Sequence, residues 1–191
     1  GGSGVEELIQ LDKKHIGKFI SNISLLDKIF DVILIDTGAG LSRNIMSFIL
    51  AADEVLLVTT PEPTAITDAY AMIKMISKND KHRIVKVVVN KAESFKEAND
   101  ILDKLLMVSD RFLSFKVQKT GYILVDDCIP KAVKQQKPFC LSYPKSHASQ
   151  QITELAMNLF YENGRMDNPN IHGKGVRGFF SRLLSSYGVQ H

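Results

Sequence analysis

Apolar residues occur along this 191-residue chain in two alternating patterns, one with helical spacing and one in continuous runs. Over Val5–Leu26 they return every three or four positions with charged residues between them, which predicts an amphipathic helix. The runs Val32–Ile35, Glu54–Thr60 and Arg83–Asn90 leave almost no polar face, which is typical of parallel strands covered on both sides. Further helices are predicted over residues 42–51, 64–77, 94–109, 129–136 and 146–161, and shorter strands over residues 113–117 and 122–125.

Strands that alternate with helices indicate right-handed crossovers between parallel strands. The predicted fold is therefore α/β, with a doubly wound, mostly parallel sheet and helices on both faces. Thr64 is the expected N-cap of one helix, and Ser94 with Glu97 forms a capping box that opens the next. We expect one α/β domain over residues 1–161, a polar, flexible linker over residues 162–175 and an amphipathic helix over residues 176–188.

The last predicted helix carries a single apolar stripe with positive charges beside it. Such a helix suits the interface of a membrane, so we expect it to bind one. The alternatives are a helix packed on its own domain and a contact between copies of the chain. The long polar linker argues against tight docking. The stripe consists of Val176, Phe179, Phe180, Leu183, Leu184 and Tyr187, and the cations are Lys174, Arg177 and Arg182.

Composition narrows the functional classes only a little. Hydrophobic residues make up 45% of the chain, as in ordinary soluble globular proteins, and the net charge of +3 is too mild to indicate nucleic-acid binding. No run of 18 apolar residues is present that would span a membrane. Cys128 and Cys140 lie twelve positions apart without a CxxC pattern, which favours reduced thiols over a metal site.

Two polar residues stand where predicted strands end. Asp36 follows an apolar run, and open α/β sheets bind their ligands at the carboxyl ends of strands, where nucleotide hydrolases place a carboxylate near magnesium. The small residues of Thr37–Gly40 would let a phosphate approach the backbone. Asn90 ends another run, and its amide offers the donor and acceptor that a purine edge requires. The alternatives are that Asp36 caps the next turn and that Asn90 forms a turn.

Three motifs together resemble the MinD/ParA class of deviant P-loop ATPases: IDTGAGLSRN, VTTPEPTAITDAY and NKAES. Within that class they are most similar to FlhG, the MinD-like regulators of bacterial flagellar number and placement. The resemblance covers nearly the whole chain and implies ATP and magnesium as cofactors. It implies that Asp36 closes the Walker B strand and orders a magnesium-bound water, and that Thr37, Gly38 and Gly40 belong to the loop that senses the γ-phosphate.

The same resemblance assigns four further residues. Asn90 would contact the adenine base, with Lys91 beside it. Asp127 would lie near the ribose or base, although Val125 stands where the class usually has proline. An N-cap at Asp127 explains that residue nearly as well. Asp68 would face the second copy of a nucleotide-bound dimer, and its alternative is a favourable interaction with the helix dipole.

One departure from the class affects the expected activity. The glycine-rich phosphate loop with its signature lysines is not found in these 191 residues, because Gly1-Gly2-Ser3-Gly4 is not followed by Gly-Lys-Ser/Thr. We expect the chain to be the carboxyl-terminal part of a longer ATPase that lacks the first βαβ unit. The opening glycines are either native or a cloning scar. Such a fragment should not hydrolyse ATP by itself.

The resemblance predicts an ATPase that controls flagellar number and placement through ATP-dependent dimerisation and membrane attachment. The implied partners are a second copy of the chain, a signal-recognition-type flagellar GTPase and the inner face of the cytoplasmic membrane, with DNA unlikely as a partner. The implied location is cytoplasmic and peripherally membrane-associated. The alternatives are a ParA-like or MinD-like ATPase that positions chromosomes or division sites, and a non-enzymatic interaction module.

Overall fold

The computed structural model describes residues 13–38, 40–161 and 175–188. They fall into two compact units, one built from Gly1–Asp53 with Asn170–His191 and the other from Glu54–Pro169. The start of the first predicted helix and residues 162–174 of the predicted linker lie outside the described ranges.

The larger unit contains a parallel sheet with the strand order β1-β2-β3. The strands are β1 (Val55–Thr59), β2 (Val85–Ala92) and β3 (Val117–Leu124). Val55 lies opposite Val85 in the first pair of strands. β2 is the central strand. All its residues are buried except Asn90, which is half-buried, and Lys91, which is exposed. This burial explains why its sequence is almost continuously apolar. The predicted α/β fold with a parallel sheet is confirmed.

Helices connect and cover these strands. They are α3 (Pro63–Asn79), α4 (Phe95–Leu113), α5 (Cys128–Lys134), α6 (Phe139–Ser142) and α7 (His147–Tyr161). Both α4 and α7 pack on β3.

Neighbouring positions of β3 show that α4 and α7 lie on opposite faces of the sheet. The ring of Tyr122 contacts Phe95 of α4, and the two ring centroids are 5.4 Å apart. A Cβ atom at Gly121 would lie 3.1 Å from Leu155 of α7. Successive residues of a strand point to opposite faces, so the sheet has a helix on each side.

The helix starts follow local sequence signals in two different ways. The predicted capping box is present with one difference. Ser94 accepts from the N–H of Glu97 at 3.2 Å, whereas Glu97 accepts at 2.7 Å from the N–H of Glu93, the residue before the N-cap. The predicted N-cap Thr64 is wrong, because α3 begins at Pro63, whose fixed φ suits the first helical position.

The two short strands predicted around residues 113–125 form one strand, β3. The turn-prone Lys119-Thr120-Gly121 segment is accommodated as an irregularity within it, where Val87 pairs with Lys119 and Val88 pairs with Gly121. A bulge of this kind adds a residue without ending the strand.

Asp126 fixes the backbone that follows β3. Its Oδ1 accepts from the N–H of Cys128 at 2.9 Å and its Oδ2 from the N–H of Ala148 at 3.2 Å, so one carboxylate joins the starts of α5 and α7. Gln151 of α7 accepts from the N–H of Leu124 at 2.9 Å. The hydrogen bond from Cys128 and then that from Ala148 hold the pKa of Asp126 below its ordinary value of 3.8.

The described residues of the smaller unit include three α-helices and one 3-10 helix. They are α1 (Lys13–Ile23), a 3-10 helix (Ser24–Lys28), α2 (Arg43–Ala51) and α8 (Gly175–Ser186). Ser42 is the N-cap of α2 and accepts from the N–H of Ile45 at 3.3 Å.

The amphipathic helix is present as α8, but its apolar stripe is buried rather than free. Phe179 and Leu183 form a cluster with Ala51 of α2. Phe180 meets Phe19 of α1 edge to face at 5.2 Å. The expectation that the linker prevents tight docking is therefore wrong for this structure, because the stripe finds a complementary apolar surface on α1 and α2.

Polar contacts hold the start and middle of α8. Asp27 accepts from the N–H of Val176 at 2.8 Å, and Asp53 accepts from the N–H of Gly175 at 3.0 Å. Two carboxylates thus lie at the positive end of the helix dipole. Asp53 also pairs with Arg182 at 2.6 Å.

The strand predicted over Val32–Ile35 is wrong for this structure. The segment is not assigned to a strand, and Leu34 is 86% exposed. A strand forms only when neighbouring strands satisfy its N–H and C=O groups, and none of the described residues pairs with the segment Val32–Ile35.

In the other unit, β1 is an edge strand of the described sheet, and Leu56 and Val58 are exposed there.

We predict that Asp126→Asn lowers stability and weakens its dependence on acid pH. Because the native pKa is depressed, the charged carboxylate stabilises the fold above the ordinary pKa, and this contribution is lost as the pH falls through the native value. Denaturant unfolding at neutral pH and below about pH 4 measures both effects. Asp127→Asn is the matched control, since that side chain makes no capping bond. Equal pH profiles for Asp126→Asn and the native chain would contradict the prediction.

We predict that Gly175→Ala loosens α8. Gly175 has φ +86°, and a Cβ there would lie 2.8 Å from Oδ1 of Asp27. Left-handed backbone costs other residues roughly 1–2 kcal/mol, so hydrogen exchange over residues 175–186 should accelerate about tenfold. Gly17→Ala is the control, because nothing lies within 4 Å of its Cβ position. Unchanged exchange in Gly175→Ala would show that the close approach of Asp27 does not hold the helix.

Candidate functional site

The carboxyl edge of the sheet carries the first candidate residue, Asn90. It lies in β2 opposite Ile123 of β3 and is half-buried. The parallel strands end on one side of the sheet, which is where open α/β folds bind ligands. Its amide nitrogen donates no hydrogen bond to another described residue, so a donor is available at this edge.

Lys91 follows Asn90 in an unusual backbone conformation. Its φ is 58°, and its N–H donates to Oδ1 of Asn90 at 2.9 Å. The pairing with β3 is irregular between Asn90 and Ala92, and it continues where the N–H of Val125 donates to the carbonyl of Ala92 at 2.9 Å. The side chain of Lys91 is exposed. The sequence placed Lys91 beside the site but contained no signal for its backbone conformation.

Two aspartates, Asp126 and Asp127, follow β3, and their roles differ from the prediction. Asp127 is exposed and occupies the N-cap position of α5, as the alternative predicted, but its side chain makes no capping hydrogen bond. Asp126 does the capping instead. The bond between Val125 and Ala92 places the start of this loop beside the end of β2. Asp127 is therefore free to contact a ligand at the same edge as Asn90.

Asp68 lies on α3 and is exposed. It is the sixth residue of that helix, and the first turn contains no acidic residue. A helix dipole acts mainly within the first turn, so the dipole alternative for Asp68 has little support.

Asp36, Thr37, Gly38 and Gly40 lie in the smaller unit and are all exposed. Gly40 has φ 113°, which only glycine adopts without strain. No group of three or more metal-ligating side chains occurs among the described residues. A lone exposed carboxylate fits magnesium held mainly by water and phosphate oxygens, and it does not fit a metal site made by the protein alone.

A surface groove of about 600 Å³ lies beside the starts of α3 and α4. It contains none of the residues predicted for the site. No sequence pattern indicated it, because its residues come from two segments about thirty positions apart. Its walls are Pro61, Pro63, Ile66, Ser94, Lys96, Glu97, Asp100, Ile101 and Lys104.

Within the ranges that the structure describes, every helix is too short or too polar to cross a bilayer.

Comparison with known proteins adds independent information. The family model described as "ParA: NUBPL iron-transfer P-loop NTPase" matches residues 10–160. The antiactivator FleN of Pseudomonas aeruginosa is 36% identical over 157 residues, which cover 82% of this chain and 56% of that protein. The flagellum site-determining protein YlxH of Helicobacter pylori is 32% identical over 192 residues, which cover 98% of this chain and 63% of that protein.

The fold has a solved counterpart as well. The cell division ATPase MinD of Pyrococcus furiosus matches with a TM-score of 0.56 and 25% sequence identity, over 80% of this chain and 63% of that one. The chain thus spans less than two thirds of the length of these relatives. Its parallel sheet, its motifs and the match over residues 10–160 lead to one conclusion: the chain belongs to the ParA family of P-loop NTPases.

Proposed function

We propose that this chain is part of an FlhG-like ATPase that controls the number and placement of flagella through ATP-dependent dimerisation and membrane attachment. The observation that carries the proposal is its 36% and 32% identity to an antiactivator and a flagellum site-determining protein, over 82% and 98% of the chain. The proposed nucleotide chemistry and membrane role each have particular residues behind them.

The base of the nucleotide would bind at the carboxyl edge of the sheet. Asn90 offers an amide donor there, and Asp127 offers an exposed carboxylate on the adjoining loop. Lys91 extends an exposed ammonium group from the same place. A donor, an acceptor and a cation together suit a nucleotide better than an apolar ligand.

The segment around Asp36 would bind the phosphates and magnesium. Its carboxylate would hold a water of the magnesium shell, and the backbone of Thr37, Gly38 and Gly40 would approach the terminal phosphate. Magnesium, when bound, neutralises charge on the phosphates. Asp68, exposed on α3, would face a second copy of the chain.

Membrane attachment would depend on α8. Two Phe and two Leu contribute about 6–12 kcal/mol when fully buried, and each cation adds about 1 kcal/mol near anionic lipid. The same apolar side chains are already buried against α1 and α2, so a membrane would have to compete with that contact. Release of α8 would therefore precede binding. The residues that would enter the interface are Val176, Arg177, Phe179, Phe180, Arg182, Leu183 and Leu184.

The other proposed partners follow from the same assignment. They are a second copy of the chain, a signal-recognition-type flagellar GTPase and the inner face of the cytoplasmic membrane.

A second candidate function is the positioning of division sites. It is favoured by the structural match to a cell division ATPase and by 25% identity to the septum site-determining protein MinD of Bacillus subtilis. A deletion strain distinguishes the two functions: altered flagellar number with normal septa supports the first, and misplaced septa with normal flagella support the second.

We predict that Asp36→Asn lowers ATP hydrolysis by the intact gene product by roughly 100-fold, because the charge facing the magnesium shell is lost. Phosphate release measures the rate. Asp31→Asn is the control, since Asp31 is another exposed carboxylate in the same segment. Full turnover in Asp36→Asn would overturn the proposed role of this residue.

We predict that Asp53→Ala increases membrane binding and that Phe179→Glu abolishes it. Asp53→Ala removes the ion pair with Arg182 and the hydrogen bond from the N–H of Gly175, which weakens the docking of α8. Phe179→Glu places a charge in the apolar stripe. Sedimentation of the intact gene product with vesicles of phosphatidylglycerol and phosphatidylcholine measures binding, with Asp31→Ala as the control. The membrane role is wrong if Phe179→Glu sediments as the native protein does.

A further inference from the structure

The positive charge of this chain is concentrated in one short stretch of the larger unit. Residues 128–153, which form α5, α6 and the start of α7, contain four lysines and no aspartate or glutamate. The whole chain has a net charge of +3, so the rest of it is slightly negative. The four lysines are all exposed, and they are Lys131, Lys134, Lys137 and Lys145.

The ammonium groups of these lysines are not neutralised by neighbouring carboxylates. Among the described residues, no aspartate or glutamate forms an ion pair with any of the four. The nearest acidic residues along the chain are Asp127, before α5, and Glu154, within α7. A group of unpaired like charges attracts an anionic partner.

Two apolar side chains project from the same stretch. Leu141 is 79% exposed and Val133 is 69% exposed, and no other large apolar residue in the described part of the larger unit is exposed as much. Their neighbours face inward, because Ala132 is buried and Phe139 packs on the cluster around Ile123. Leu141 and Val133 lie on either side of Lys134 and Lys137 in the sequence, so apolar and cationic groups alternate here.

The turn between α5 and α6 is fixed by backbone hydrogen bonds. The N–H of Lys137 donates to the carbonyl of Ala132 at 3.1 Å, and the N–H of Gln136 donates to the carbonyl of Val133 at 3.0 Å. With Gln136 at φ 53°, these two bonds form a Schellman motif, which ends α5 and reverses the chain. The lysines and apolar residues are therefore held in place before a partner binds, which lowers the cost of binding.

The composition of this surface does not suit a nucleic acid. Residues 112–164 contain no arginine, the residue that makes most bidentate contacts with phosphates and guanine. Within residues 128–153 the aromatic residues are Phe139 and Tyr143, and both are half-buried against the core cluster. No exposed ring is thus available there to stack on bases.

The shape of this surface favours a lipid interface over a protein partner. Leu141 and Val133 project outward, so a protein would need a matching cavity for each of them. A lipid interface admits apolar side chains without a preformed cavity, and lysines with long stems reach its anionic headgroups.

We propose that this region, here called the α5–α6 surface, binds anionic lipid, with its lysines at the headgroups and its two apolar side chains in the interface. The α5–α6 surface consists of Lys131, Val133, Lys134, Lys137, Leu141 and Lys145. It is a second lipid contact, on the larger unit, whereas α8 belongs to the smaller unit. The inference deepens the proposed function and rests on it in that the ligand is the same membrane.

The α5–α6 surface is too small to hold the protein on a membrane by itself. A lysine near an anionic lipid surface adds about fivefold in affinity, which corresponds to about 1 kcal/mol. Two partly inserted apolar side chains add less than the full stripe of α8. Because one chain carries both contacts, binding of α8 raises the effective concentration of lipid at the second contact.

A tryptophan at position 141 tests whether the α5–α6 surface enters the interface. These 191 residues contain no tryptophan, so Leu141→Trp adds a probe whose signal is read by subtracting that of the native protein. Met107→Trp is the matched control, since Met107 is exposed on α4, which lies across the sheet from α7. The intact gene product is mixed with vesicles of phosphatidylglycerol and brominated phosphatidylcholine.

We expect the emission of Leu141→Trp to shift to shorter wavelength and to be quenched by the brominated lipid, and that of Met107→Trp to stay unchanged. The inference is overturned if Leu141→Trp is not quenched when all the protein sediments with the vesicles. That outcome leaves attachment through α8 intact, which Phe179→Glu tests separately. If the native protein binds no vesicles, the inference and the membrane part of the proposed function are both wrong.

A second experiment tests the charges. Lys134→Gln combined with Lys137→Gln should lower binding to anionic vesicles about 25-fold, at fivefold per lysine. Lys81→Gln combined with Lys116→Gln is the matched control, because both lysines are exposed and precede β2 and β3, at the opposite edge of the sheet from α5. An equal loss in the control would show an effect of net charge alone and overturn the inference. So would a loss of binding to duplex DNA in Lys134→Gln/Lys137→Gln with vesicle binding unchanged.

Discussion

The larger unit depends on the burial of β2 between two parallel neighbours. Val85, Val87 and Val89 have no exposed surface, and the strand bonds β1 on one side and β3 on the other. Full burial on both faces requires helices above and below the sheet, and it fixes where the strand ends. Because all strands are parallel, their polar ends lie on one edge. The placement of Asn90 therefore follows from the packing of the valines before it.

Much of this arrangement could be predicted from local sequence. The apolar runs around Leu57 and Val87 lack a polar face, and this pattern correctly predicted two strands of the sheet. Ser94 and Glu97 correctly predicted the start of α4, because their motif is only four residues long. The position of Asn90 at a strand end also came from the sequence. These features depend on residues that are close together in the chain, which is why a pattern can reveal them.

The remaining features depend on distant residues. The run Val32–Ile35 has the composition of a strand, but pairing partners decide whether a strand forms, and composition does not supply them. The docking of α8 depends on Asp27 and Asp53, which lie more than 120 positions earlier in the chain. Asp126 and Asp127 are chemically identical, and only the position of Ala148 shows which of them caps two helices.

The central proposal is that the carboxyl edge of the sheet around Asn90 binds the base of ATP. Hydrogen exchange of the intact gene product, with and without magnesium ATP, tests it most directly. The proposal predicts that amides over residues 90–92 become protected when the nucleotide is bound. Unchanged exchange over residues 90–92 at saturating nucleotide would contradict it.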